Sequence, residues 1–64
     1  MSNLVQDAFE LFKKIETIKS MERPSYNQIL EWEENETMLY FIMDRMDVSE
    51  RSEYRKTVKN HNKN

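Results

Sequence analysis

The 64-residue sequence predicts an all-α fold, an antiparallel helical hairpin plus a short third helix, and three observations carry that prediction. Apolar residues recur at three- and four-residue steps in two stretches, the only proline lies between them, and glycine is absent. Such spacing keeps side chains on one side of an α-helix, and Pro24 disfavours helix in the residue before it. Tight hairpins, bulges and phosphate-cradling loops call on glycine where φ must be positive, so its absence speaks against β-structure and Gly-rich nucleotide loops.

The first helix is expected over residues 3–21, on the stripe Leu4, Ala8, Leu11, Ile15 and Ile18. Asn3 and Gln6 fit a capping box, in which the N-cap side chain and the residue three later satisfy each other's free backbone N–H groups. Ser25 and Gln28 repeat the pattern after Pro24 and open a second helix over 25–46. Its stripe is Ile29, Trp32, Leu39, Met43 and Met46, with Glu36 at the missing step. Glu31, Glu33, Glu34 and Glu36 repel one another at helical spacing and Asn35 is a weak helix former, which would allow a break into 25–34 and 36–46. The unbroken phase of the stripe favours continuity. Asp47 and Glu50 form a third capping pair and start a helix over 48–60, leaving 61–64 as a disordered polar tail behind a single domain at 1–60.

Size and composition limit the function. A chain this short is near the lower limit for a self-sufficient core. It has no cysteine, so disulfides and thiolate metal sites are excluded, and its one histidine, His61, lies in the polar tail. The longest apolar run, Met38 to Met43, falls far short of the roughly 20 residues of a membrane span, and the N-terminus lacks a signal-peptide pattern. A soluble, cytoplasmic protein is expected, with no membrane contact, no cofactor, no metal and no small-molecule substrate.

No catalytic constellation emerges. The glutamates of the second helix read as a solvated acidic face, since a di-metal site would need Glu-x-x-His motifs on more than one helix. Several of the serines stand near expected helix ends, where capping explains them, and no histidine is placed to activate one. The chain is expected not to be an enzyme.

Charge is divided along the sequence. Residues 1–50 hold eleven acids and five bases, while residues 51–64 hold one acid and five bases. A frayed, solvated basic end is the ordinary reading of such a block; contact with phosphate or an acidic surface is the sharper one. Residues 42–56, Ile-Met-Asp-Arg-Met-Asp-Val-Ser-Glu-Arg-Ser-Glu-Tyr-Arg-Lys, resemble the core of helix-turn-helix DNA-binding domains. In these domains a turn ending in Val-Ser leads into a basic recognition helix. The resemblance implies a small transcriptional regulator with Ser49, Arg51, Ser52, Arg55 and Lys56 as candidates for nucleic-acid contact, and Lys59, just beyond the matched stretch, is a further candidate. Three positions depart from the pattern. Met43 stands where a small residue is usual, Asp47 where the turn carries glycine, and Glu53 where an apolar anchor belongs. Tyr54 and Val58 instead put the buried face of this helix one residue further on.

Apolar side chains outnumber the places available to bury them. Val5, Phe9, Phe12, Leu30, Tyr40, Phe41 and Ile42 lie outside the two stripes, and the third helix offers only Val48, Tyr54 and Val58 as cover. Compact three-helix packing would absorb many of them; an exposed aromatic and Met-rich patch is the composition of protein interfaces. The expected role is a small protein-binding regulator, adaptor or inhibitor, acting on a larger macromolecule or as a homodimer. Its expected contact residues are Phe9, Phe12, Trp32, Tyr40, Phe41 and Met43.

Overall fold

A computed structural model describes residues 3–63 as three helices, α1 (Leu4–Lys19), α2 (Tyr26–Arg45) and α3 (Val48–Asn62). Helices α1 and α2 form the antiparallel hairpin, and α3 packs on α1 while barely touching α2. The first helix is therefore the central one. Helix α2 runs unbroken through the glutamate cluster, and no described residue takes a positive φ, as suits a chain without glycine.

The helix starts follow local chemistry. Ser25 accepts from the Gln28 N–H at 3.2 Å while Gln28 Oε1 accepts from the Ser25 N–H at 2.7 Å. Asp47 and Glu50 make the same reciprocal pair at 2.8 and 3.0 Å. Asn3 caps α1 by accepting from the N–H groups of Val5 and Gln6, but the expected box is only half made. Gln6 Nε2 instead donates to Glu10 at 2.8 Å, an i,i+4 partner further along the helix.

The core forms along α1. Val5, Ala8, Leu11, Ile15 and Ile18 are each 8 % exposed or less, and Ala8 is completely buried. Val5 takes the buried place at the start of the stripe, with Leu4 half-buried beside it. Leu39, Met46 and Tyr54 join Val5, Ala8, Leu11 and Ile15 in one cluster, with Phe12, Trp32, Ile42, Met43 and Val58 packed against it. Burying a side chain of the Leu or Ile class stabilises by about 1.5–3 kcal/mol, so these few contacts dominate the stability of so small a fold.

The inner face of α2 departs from the expected stripe. Asn35 is buried at 8 % exposure, whereas Ile29, expected in the core, is 39 % exposed. The observed inner line is Gln28, Trp32, Asn35, Leu39, Ile42 and Met46, rotated from the expected one. Glu36 holds its half-buried place by accepting from Trp32 Nε1 at 2.9 Å.

Helix α3 is longer than expected. It continues through His61 and Asn62 and is capped by Lys63, which corrects the assignment of these positions to a disordered tail. The physical reason is aromatic contact: His61 stands edge-on to Phe9 at 5.4 Å and to Phe12 at 6.0 Å. Asn64, also assigned to that tail, lies outside the described residues. Near its start α3 returns to α2, where Arg51 Nε donates at 3.1 Å to the Met43 carbonyl, which also accepts the Met46 N–H at the helix end.

Candidate functional site

The six residues expected to form a contact face do not share one. Phe9 and Phe12 stack on each other at 6.1 Å on the α1 side that α3 covers. Trp32 and Met43 pack against the core. Tyr40 and Phe41 remain open, each 61 % exposed. Phe9 and Phe12 found a neighbour that the sequence did not assign to them, His61 at the end of α3, while Trp32 and Met43 keep the inward side that their stripe predicted.

Tyr40 and Phe41 belong to a larger surface on the outer side of α2. Tyr26, Ile29, Leu30 and Met38 are also exposed there, Met38 at 54 %. At 100° per residue Tyr26, Leu30, Thr37, Phe41 and Asp44 lie along the middle of this side, opposite Asn35, Leu39 and Met46. Two shallow depressions flank that line. One is lined by Ile29, Trp32, Glu36 and Tyr40, the other by Leu30, Glu34 and Met38, and both share Glu33 and Thr37. Ile29 was the residue misassigned by sequence. The signal that places it outside is Glu33 one turn on, an acid that belongs in water.

The electrostatics of this face are one-sided. Helix α2 carries Glu31, Glu33, Glu34, Glu36 and Asp44 against the single base Arg45. Arg45 sits over the Phe41 ring at 4.7 Å. Among the described residues the ion pairs, Lys13–Glu10 at 3.2 Å and Lys19–Glu16 at 3.9 Å, both lie within α1, and no acid of α2 is paired.

The other candidate surface is on α3. Ser49, Arg51, Ser52, Arg55, Lys56 and Lys59 are all exposed, and Glu53 is exposed beside them. Ser52, Arg55, Lys56, Lys59 and Lys63 recur at helical steps on an arc that contains no acid, since Glu50 is turned toward its cap and Glu53 lies to one side. Tyr54 is the buried anchor, and burial pushes its phenol above the ordinary value of 10.0. The expected helix-turn-helix geometry is not reproduced. The turn is Met46-Asp47, Val48 already opens α3 with 84 % exposure, and α3 rests on α1 rather than across α2.

Little else in the structure offers chemistry. Among the described residues no three metal-ligating side chains converge, and no helix is long and apolar enough to cross a membrane. Ser25 is spent on its cap, and Ser20 donates to the Thr17 carbonyl at 2.8 Å. His61 is turned to the Phe9 and Phe12 rings. Among the described residues one buried side-chain polar atom lacks a partner, the Asn35 Nδ2 amide. Comparison with protein-family models, with curated proteins and with solved structures finds no match for this chain.

Proposed function

We propose that this chain is a small, non-enzymatic protein-binding regulator, adaptor or inhibitor that docks through the outer face of α2. The observation that carries this reading is the exposure of Met38, Tyr40 and Phe41 on one helix whose opposite side forms the core. Aromatic residues and methionine are enriched at interfaces because they bring large contact area with few frozen torsions. Ile29 and Leu30 extend the same apolar surface by two turns. A cytoplasmic setting is part of the same proposal.

Affinity capture from the host, comparing the native chain with the Tyr40→Ala, Phe41→Ala double variant, tests it. Both residues are largely exposed, so the variant keeps its helical circular dichroism. Proteins held by the native chain and released by the variant are the expected result. Identical capture by both chains overturns the reading.

The acid-free basic arc of α3 favours a second reading, a DNA-binding regulator that contacts phosphates through Arg55, Lys56 and Lys59, with Arg51 beside the arc. Salt separates the two readings. Phosphate-driven binding weakens steeply with added salt, whereas an apolar protein interface changes little. A gel shift that stays blank on duplex DNA at low salt removes the second reading.

A further inference from the structure

We infer that the partner segment seated on the outer face of α2 is a basic amphipathic helix, an inference that rests on the protein-binding reading above. The exposed apolar residues and the acids of this face are interleaved rather than segregated. Leu30, Met38 and Phe41 stand on one side of the Glu33–Thr37 line and Ile29 and Tyr40 on the other, with Glu34 and Asp44 among them. An occupant must therefore bring apolar side chains for both depressions and positive charge for the carboxylates between them. A helix with Leu-type residues on one stripe and Lys or Arg beside it meets both needs with regular spacing.

Charge sets the sign of the partner. The five acids of α2 have no ion-pair partner among the described residues, and Arg45 is the helix's single base. Acids repeated at i,i+3 repel each other, and an approaching cation relieves that repulsion as it lands. Complementary potentials of this kind steer encounter and reject partners of the wrong sign.

Other occupants fit less well. A second copy laid α2 on α2 brings one set of Glu33 and Glu34 carboxylates against another. A second copy offering α3 supplies the charge, but its outer arc holds a single large apolar residue, Val48, and leaves Phe41 and Tyr40 without counterparts. Nucleic acid is repelled by the carboxylates of this face.

The test is fluorescence anisotropy on the full chain with two labelled amphipathic peptides about 18 residues long, enough for about five helical turns. One is built of leucine and lysine, the other of leucine and glutamate. The lysine peptide is expected to bind at least about tenfold tighter, a gap of about 1.4 kcal/mol. Glu33→Lys with Glu34→Lys is expected to erase or reverse that preference, and the milder Glu33→Gln with Glu34→Gln to reduce it. Loss of binding in Tyr40→Ala, Phe41→Ala completes the expected pattern.

Equal binding of both peptides that still depends on Tyr40 and Phe41 overturns the charge inference and leaves the docking face standing. No binding, or binding indifferent to the aromatic pair, overturns the inference together with the face. Salt-sensitive dimerisation in light scattering that is lost in Glu33→Lys, Glu34→Lys also overturns it, because the occupant is then a second copy.

Discussion

Helices α1 and α2 are built from similar proportions of large apolar residues, yet they dispose of them in opposite ways. Helix α1 is gripped from two sides and buries Val5, Ala8, Leu11, Ile15 and Ile18. Helix α2 is gripped from one side and buries only Asn35 and Leu39 within its span, while Ile29, Leu30, Met38, Tyr40 and Phe41 stand in solvent. The difference separates two tasks. The apolar residues of α1 hold the fold together, whereas Met38, Tyr40 and Phe41 on the outer side of α2 contribute little to it. Residues that folding does not require are the ones available for recognition.

The sharpest way to break this contrast is to truncate one residue of each kind. Ile15→Ala removes a core side chain and is expected to cost about 2–5 kcal/mol in denaturant unfolding, enough to threaten the fold. Met38→Ala on the outer side of α2 is expected to change stability by no more than about 0.5 kcal/mol. Comparable losses at both positions would erase the distinction between the helices.

Asn35 sharpens the contrast from the opposite direction. Its Nδ2 is buried without a partner, so the inner face of α2 carries a desolvated amide where α1 has only hydrocarbon. Asn35→Leu is expected to raise stability by about 1–3 kcal/mol. At about 4–8 °C per kcal/mol for a domain of this size, calorimetry resolves the change easily. An unchanged or lowered melting temperature would mean that the amide is satisfied and that α2 is as well packed as α1.

A smaller effect probes the grip of α3. Burial raises the Tyr54 phenol above 10.0, so the folded chain retains a proton that the unfolded chain releases first. The sign follows: this stabilisation is complete below about pH 10 and is lost as pH rises through the folded value. Alkaline thermal melts of the native chain and of Tyr54→Phe check it. The variant is expected to show a shallower decline, and parallel curves would indicate that Tyr54 is more open than its place in the core implies.

The sequence announces some of this structure through strong local chemistry and hides the rest where chemistry is ambiguous. Three helices, the reciprocal caps at Ser25 and Asp47, and four of the five buried positions of α1 follow from spacing alone. The phase of α2 does not. A buried Asn35 and an exposed Ile29 invert ordinary hydropathy, and a pattern built on hydropathy rotates toward Glu36 instead. The end of α3 is hidden for another reason. His61 and Asn62 look like tail because their order comes from Phe9 and Phe12, fifty residues away in sequence. Of the contact face, Tyr40 and Phe41 are legible as surplus to the stripes; Phe9 and Phe12 look equally surplus until His61 covers them, and Trp32 and Met43 lie on the stripe that already points inward.

The central position of α1 has a consequence for how the two outer surfaces communicate. Helices α2 and α3 meet directly through little more than the Arg51 to Met43 hydrogen bond, so energetic coupling between an acidic flank and a basic flank must pass through a rigid, close-packed intermediary. Distant sites without shared partners behave additively. Should each flank take a partner, occupation of one is expected to leave the affinity of the other nearly unchanged, because the two helices that carry them touch so little.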